Sequence, residues 1–187
     1  MNVFLLISAV ALTLHIKQVP TDKPSFMGAC SAVLIQEDLA LSAAHCFGRN
    51  TKAAWAKDNE GKSYTVTYLY KDPLKDLILL RVKEKQGSWA KLGSMPAKTD
   101  EVFIVSNADD MDGTHTKGMV TNHIYMDFQH LIVHSAMILK GSSGSGLFDA
   151  KGRLVGINTM LIGPFTFAVD IDEIREFLDE ARDRGRI

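Results

Sequence analysis

Three separate stretches of the sequence contain the residue types that nucleophilic catalysis requires. His45 lies in LSAAHC, Asp76 stands directly before the apolar residues LILL, and Ser142, Ser143 and Ser145 lie among glycines in GSSGSG. A serine hydroxyl becomes an effective nucleophile when a base removes its proton, and imidazole suits this task near neutral pH. A carboxylate beside the imidazole fixes its tautomer, and backbone N–H groups beside the serine stabilise an oxyanion. The three stretches together therefore indicate acyl transfer from an amide or an ester.

Each stretch also has a structural interpretation. A single histidine is more often structural or exposed than catalytic, and Asp76 alone would suit the cap of a buried strand. The run GSSGSG is also typical of a flexible linker. Only the combination of the three stretches favours catalysis, and the residue types alone do not select one serine as the nucleophile.

After about residue 24, most of the chain consists of short stretches rich in β-branched, aromatic and leucine residues, with turn residues between them. We predict strands in SAVLI, LALSA, YTVTYLY, DLILLRV, EVFIVS, KGMVTNHIYM, HLIVHSAMI, RLVGINTMLI and FTFAV. Such a pattern predicts an all-β barrel or sandwich. The polar segment 91–100 is the predicted link between two halves. At the C-terminus, Ile171, Ile174, Phe177 and Leu178 recur at helical spacing and predict a packed helix.

The N-terminal residues form an apolar run that is typical of an export signal. Residues 3–14 carry no charge and include only one serine and one threonine as polar members. The run is shorter than the about 20 residues of a membrane span and suits the apolar region of a secretory signal. However, no Lys or Arg precedes it, and cleavage after AVA (9–11) would leave a short apolar core. We predict a signal peptide or N-terminal anchor at 1–20, and the remaining alternative is a first strand of the fold.

The composition is that of a folded soluble protein. The chain has 187 residues, of which 46% are hydrophobic and 23% charged, and its net charge is −1. This charge provides no general attraction to nucleic acid, so we predict no nucleic-acid partner. Cys30 and Cys46 are consistent with one disulfide in an exported protein, or with two buried thiols in a cytoplasmic one. The histidines after residue 100 lie in or near predicted strands, so we predict no metal site and no other cofactor.

The order His, Asp, Ser and the sequences around these residues resemble the chymotrypsin-like serine proteases, also called trypsin-like. LSAAHC is similar to their histidine motif, DLILL to their aspartate motif, and GSSGSGLFDAKGRLVGI to their serine motif with its following hairpin. The resemblance extends from residue 28 to about 175. It implies a triad of His45, Asp76 and Ser143, with Ser143 as the nucleophile. It also implies an oxyanion hole formed by the N–H groups of Gly141 and Ser143.

The same resemblance implies the fold, which is two six-stranded antiparallel Greek-key β-barrels followed by a C-terminal α-helix. The expected protease domain is 24–187, with an N-barrel at about 24–95, a C-barrel at about 98–170 and a helix at about 170–183. Cys30 and Cys46 occupy the places of the family disulfide that ties down the histidine loop.

Two departures from the family pattern indicate a branch without zymogen activation. Digestive and clotting members carry an aspartate just before the nucleophile, where this chain has Ser142. The stretch TDKPSFMGAC also lacks their activation sequence. The chain therefore resembles the bacterial and viral branch, which includes the HtrA-like peptidases. It is too short to add a PDZ domain after the protease domain, so we expect an HtrA-like peptidase without one.

The specificity pocket is expected to be apolar. Met137 stands six residues before the nucleophile, where trypsins place the acid that binds Lys or Arg. The strand GINTMLIG should line the pocket wall with Thr159, Met160 and Leu161. A pocket narrowed by apolar side chains favours small or medium apolar residues before the cleaved bond.

These features together predict a serine endopeptidase that hydrolyses peptide bonds of protein or peptide substrates through an acyl-enzyme. The alternatives are a non-catalytic homologue that keeps the fold as a binding module, and an esterase that uses the same triad. We expect a monomer that is exported to the periplasm or secreted. It would contact a membrane only where the N-terminal segment is retained as an anchor.

Overall fold

The computed structural model describes residues 2–8, 10–18, 26–48, 51–108 and 111–187. These residues form two closed antiparallel barrels of six strands each, with one helix before the first barrel and one after the second. The predicted all-β fold with two six-stranded barrels and a C-terminal helix is therefore confirmed.

The first barrel is built from the strands that precede residue 83. They are β1 (Ala11–Gln18), β2 (Phe26–Gln36), β3 (Leu39–Ala43), β4 (Thr51–Lys57), β5 (Ser63–Asp72) and β6 (Leu77–Val82). Around the barrel their order is β1-β2-β3-β6-β5-β4, and β1 also pairs with β4 to close it. β3 is buried at every position, and it also contacts the second barrel. Because β3 packs both within its own barrel and against the second barrel, the apolar run LALSA is buried on both faces.

The second barrel follows a connection of residues 83–100. Its strands are β7 (Glu101–Ala108), β8 (Met111–Met126), β9 (Gln129–His134), β10 (Gly146–Phe148), β11 (Leu154–Ile162) and β12 (Phe165–Asp170). Their order is β10-β11-β12-β9-β8-β7. The long gap between β9 and β10 contains the Gly/Ser run, which leaves the sheet and passes between the barrels.

The C-terminal helix α2 (Ile171–Asp183) begins directly after β12. The Asp170 carboxylate accepts hydrogen bonds from the N–H groups of Asp172 and Glu173, which satisfies two donors of the first turn. The apolar residues that predicted the helix are buried against the barrels.

The N-terminal apolar segment forms part of the folded molecule. A short helix α1 (Val3–Ser8) leads into β1, and Ile7, Val10 and Leu12 are buried in the core. The sequence predicted a signal peptide or an anchor here, with a first strand of the fold as the remaining alternative. In the structure the segment has the position of that alternative, the first strand. Met1, Ala9 of the considered cleavage site and residues 19–25, which include the expected domain start, lie outside the described residues. Among those described, none of the helices is long and apolar enough to cross a membrane.

Candidate active site

The histidine loop follows β3 without a break. The last residue of β3 leads into a single 3-10 turn, Ala44–Cys46, and the imidazole of His45 is half exposed. Cys46 is buried and forms a disulfide with Cys30 of β2. Because Cys46 is the immediate neighbour of His45, this bond ties the exposed histidine to the barrel wall.

Asp76 lies between β5 and β6 and binds the histidine loop in three places. One carboxylate oxygen accepts a hydrogen bond from the His45 backbone N–H at 2.8 Å, and the other lies 2.7 Å from His45 Nδ1. The Asp76 carbonyl accepts the N–H of Ala44 at 2.9 Å. A carboxylate at Nδ1 places the ring proton there, so Nε2 is left with its lone pair and can accept a proton.

The serine loop (residues 139–146) reaches the same place from the second barrel. The carbonyl of Ser143 accepts the N–H of Ser31 in β2 at 2.8 Å and lies 3.9 Å from Cys46 Sγ. Ser143 is therefore beside the histidine loop. Within the described residues its hydroxyl makes no hydrogen bond, and catalytic contacts of this kind often tighten only when a substrate is bound.

Several backbone N–H groups of the serine loop have no acceptor among the described residues. The N–H groups of Ser142, Gly144 and Ser145 each donate to a backbone carbonyl, whereas those of Lys140, Gly141 and Ser143 donate to no described atom. Gly141 and Ser143 are the two donors that the family resemblance implies for the oxyanion hole, and paired donors of this kind are what a tetrahedral oxyanion requires.

The tight path of the serine loop requires glycine at two positions. Gly141 has φ +92° and Gly144 has φ +85°, a region that side chains rarely adopt. A Cβ on Gly144 would lie 2.2 Å from Ser42 Oγ and 2.3 Å from the Ser31 carbonyl oxygen. The glycines therefore allow close contact with the first barrel, which is a geometric reason and does not involve flexibility.

Buried serine hydroxyl groups hold the serine loop in place by hydrogen bonds. Ser31 Oγ donates to the Gly141 carbonyl at 2.9 Å and accepts the Asn107 N–H, so it joins both barrels to the loop. Ser142 is fully buried, its hydroxyl lies 3.0 Å from Ser106 Oγ, and it accepts the N–H of Leu139. Ser31 was not predicted to belong to the site, although a serine directly after Cys30 in an apolar strand was a usable signal.

Asn158 and His134 form a second buried group behind the loop that our sequence analysis did not assign to the site. His134 Nε2 lies 2.8 Å from Asn158 Oδ1, and both residues are fully buried. Burial lowers the pKa of His134 to about 4, although the hydrogen bond to Asn158 acts in the opposite direction. The ring is therefore neutral at pH 7 and donates from Nε2. The available signal was a lone amide, Asn158, within the apolar strand LVGINTMLI.

The residues predicted to line the specificity pocket lie in β11 and in the segment that follows β9. Met137 and Leu161 are 64% and 48% exposed, so both side chains are available to a ligand. Met160 is partly buried and packs against the core. Thr159 lies at the irregularity where the pairing of β11 with β12 shifts register between Asn158 and Met160.

Comparisons with known proteins identify relatives of this chain. Residues 30–157 match the trypsin-like peptidase domain family. A probable periplasmic serine endoprotease, DegP-like, from Bartonella henselae is 26% identical over 159 residues, which are 76% of this chain and 31% of that protein. A DegP-like protein from Pseudomonas putida (strain GB-1) is 32% identical over 131 residues, 62% of this chain and 27% of that protein. Serine protease HTRA1 from Xenopus laevis is 26% identical over 177 residues, 82% of this chain and 36% of that protein. The chain thus spans about a third of the length of these relatives.

Proposed function

The chain belongs to the trypsin-like peptidase family, and from this premise we propose that it is a serine endopeptidase with His45, Asp76 and Ser143 as its catalytic triad. The observation that carries the proposal is the Asp76 carboxylate, which takes both the backbone N–H and the Nδ1–H of His45. A structural strand cap would need only backbone donors. Binding the imidazole as well orients the ring for proton transfer.

The chemistry follows from this orientation. Ser143 Oγ attacks the carbonyl carbon of the scissile bond while its proton moves to His45 Nε2, and the carbonyl oxygen becomes an oxyanion. The N–H groups of Gly141 and Ser143 would stabilise that charge, and one such donor is worth about 3 kcal/mol of barrier. The C–N bond then breaks as His45 returns the proton to the leaving amine. Water attacks the resulting ester by the same route and releases the acid and the free serine.

We propose that this site needs no zymogen activation. In the activated members of the family an aspartate before the nucleophile binds a new N-terminal amine. Here Ser142 has partners within its own barrel, Ser106 and the N–H of Leu139. The residue at the position of that aspartate, Ser142, therefore already has hydrogen-bond partners and does not need a new N-terminal amine.

The substrate is expected to bind as an extended peptide beside β11. Up to Ile157 this strand pairs with β10, whereas beyond Asn158 its only partner among the described strands is β12. An open strand edge can accept another strand by backbone hydrogen bonding. Leu161 and Met137 are exposed near this edge, and they support a preference for small or medium apolar residues before the cleaved bond. Profiling on a peptide library tests this preference, and a majority of cleavages after Lys, Arg or Glu would contradict it.

We also propose export of the protein. The DegP-like relatives are named as periplasmic, and a disulfide is typical of an oxidising compartment. N-terminal sequencing of the exported protein tests the fate of the first 20 residues. A start at or after residue 12 would support a cleaved signal, whereas a start at or before residue 11 would support retention of the whole of β1.

A fluorophosphonate probe tests the proposed activity directly. Wild-type protein should be labelled on Ser143, and Ser143→Ala should abolish labelling and peptide hydrolysis. Ser88→Ala, which changes an exposed serine in the connection between the barrels, is the matched control and should leave both unchanged. A folded wild-type protein that is not labelled would support a non-catalytic binding module. Labelling with hydrolysis of esters but not peptides would support an esterase.

A further inference from the structure

Asn158 holds the part of the serine loop that directly follows the nucleophile. Its carbonyl accepts the N–H of Gly144 at 2.7 Å, and its own N–H donates to the Ser145 carbonyl at 2.9 Å. Its side-chain Nδ2 donates to the same carbonyl at 3.1 Å and to Ser145 Oγ at 3.0 Å. One residue of β11 therefore binds the peptide unit between Ser143 and Gly144 and the peptide unit between Ser145 and Gly146.

The side chain of Asn158 can bind Ser145 only in one orientation. When Nδ2 faces Ser145, Oδ1 must face the barrel interior, where a buried acceptor without a donor is unfavourable. His134 Nε2 supplies that donor at 2.8 Å. His134 Nδ1 has no partner among the described residues, which agrees with a neutral ring whose single proton is on Nε2. His134 thereby determines which way the Asn158 amide points.

We propose that His134 is a positioning residue for the oxyanion hole. It acts through the side chain of Asn158, which holds Ser145. The Ser145 N–H donates to the Ser142 carbonyl at 3.0 Å, and this carbonyl belongs to the same peptide unit as the Ser143 N–H, so Ser145 fixes the direction of that N–H group. This inference rests on the proposed function, because the oxyanion hole is part of it. No atom of His134 touches the substrate, and the effect is on the alignment of a donor that is used in the transition state.

Substitution of His134 separates positioning from simple packing. His134→Leu removes the donor, so Asn158 can turn, and we expect kcat to fall by about 10- to 100-fold while KM changes by less than about threefold. His134→Gln should restore kcat to within about threefold of wild type, because its side-chain amide can donate from a similar place. Thr166→Val is the matched control, since Thr166 pairs with His134 across β9 and β12 and its hydroxyl donates to the Ala136 carbonyl. It should lower stability without lowering kcat.

Binding of a peptide aldehyde provides a readout other than turnover. The aldehyde forms a hemiacetal with Ser143 whose oxygen occupies the oxyanion position, whereas the cleaved product peptide does not. His134→Leu should weaken aldehyde binding in parallel with kcat and leave product binding unchanged. Where the leucine variant fails to fold, His134→Thr, whose side chain is too short to reach Asn158, takes its place.

Two outcomes would overturn the inference while leaving the proposed function intact. The first is a folded His134→Leu or His134→Thr protein with wild-type kcat. The second is a His134→Gln protein that is as impaired as the leucine variant, since the donor would then not be the relevant property. Failure of the proposed function is distinguishable, because in that case the wild-type protein itself would neither hydrolyse peptides nor bind the aldehyde covalently.

Discussion

Asp76 combines an unfavourable backbone with several strong contacts. Its φ of +50° lies in the left-handed region, which costs a residue other than glycine about 1–3 kcal/mol. The contacts to His45 and Ala44 hold it there. Strain that is retained in this way is typical of a residue whose position matters more than its contribution to stability. Aspartate also tolerates this conformation better than most residues, as does asparagine.

Asp76→Asn should therefore leave the fold intact and remove most of the activity. The amide can donate to Nδ1 of His45, which moves the ring proton to Nε2 and leaves no acceptor for the serine proton. We expect kcat/KM to fall by about 10⁴-fold with a small change in Tm. Kinetics and thermal melting are measured beside Asp38→Asn, a control in the turn after β2. Activity within about tenfold of wild type would contradict the proposed triad.

His134 should make the folded protein sensitive to acid. Its pKa is lowered from 6.5 to about 4 by burial, so the unfolded chain takes up the proton first as the pH falls. Above about pH 6.5 the group has no effect on stability, and between about 6.5 and 4 the free energy of unfolding falls by roughly 3 kcal/mol in total. Urea unfolding of wild type and His134→Gln at pH 7 and pH 4.5 measures this difference. Equal losses in the two proteins would exclude His134 as a source of acid sensitivity.

The residues of the proposed triad could be predicted from the sequence because each of them lies in a short local motif. The sequence did not identify the support that His134 gives to Asn158, because that contact depends on how β9, β12 and β11 are aligned. His134 pairs with Thr166, and Asn158 pairs with Ala168 on the other side of β12. No local pattern sets such a register across two strand pairs, so a buried histidine could be recognised only as structural.

At the scale of elements, α2 holds the turn that carries Asp76 through ion pairs. Lys75 lies directly before Asp76, and its ammonium group contacts Glu173 at 2.8 Å and Glu176 at 2.5 Å, both in α2. Glu173 also accepts from the backbone and ring N–H groups of His130 in β9. Although burial opposes it, hydrogen bonding to Lys75 and His130 lowers the pKa of Glu173. The helix therefore links the aspartate turn of the first barrel to the second barrel.

Lys75→Met should destabilise the protein because it leaves the buried Glu173 carboxylate without its cation. The side chains of Lys75 and Glu173 are only 13% and 8% exposed, so solvent cannot replace the lost partner. We expect a loss of about 2 kcal/mol in the free energy of unfolding. Lys85→Met breaks the exposed pair with Glu37 and is the control, with no measurable change expected in the free energy of unfolding. Similar losses in the two variants would show that the buried pair between Lys75 and Glu173 stabilises the protein no more than an exposed ion pair does.

The strands were predictable where the sequence is apolar and β-branched, and less so elsewhere. β4 (Thr51–Lys57) was not predicted, because TKAAWAK has low strand propensity, and it is held by pairing with β1 and β5. The predicted strand HLIVHSAMI ends at His134, four residues before its apolar sequence does. Beyond that point the chain leaves the sheet to enter the serine loop, but Ala136 and Ile138 stay buried in the core of the second barrel while Met137 is exposed.

At the scale of the whole molecule, the N-terminal segment contacts both barrels. β1 pairs with β2 on one side and β4 on the other, so it closes the first barrel. α1 lies against β7 of the second barrel. The Phe4 ring stacks on His115 of the neighbouring β8 at 4.8 Å, and Ser8 Oγ lies 3.0 Å from His115 Nε2. These contacts are those of a strand of the first barrel and support that interpretation of the segment.

Deletion of residues 1–20 decides between these interpretations. Without β1, the edges of β2 and β4 are unpaired and the core that Leu12 covers is exposed, which favours aggregation over folding. We expect the deleted protein to lose cooperative unfolding and probe labelling, while deletion of residues 184–187 after α2 preserves both. Leu12→Asp provides a milder test, because a charge at this buried position should destabilise a retained strand by several kcal/mol. The leader interpretation requires the opposite result, a deleted protein that folds, unfolds cooperatively and reacts with the probe as fully as the complete chain.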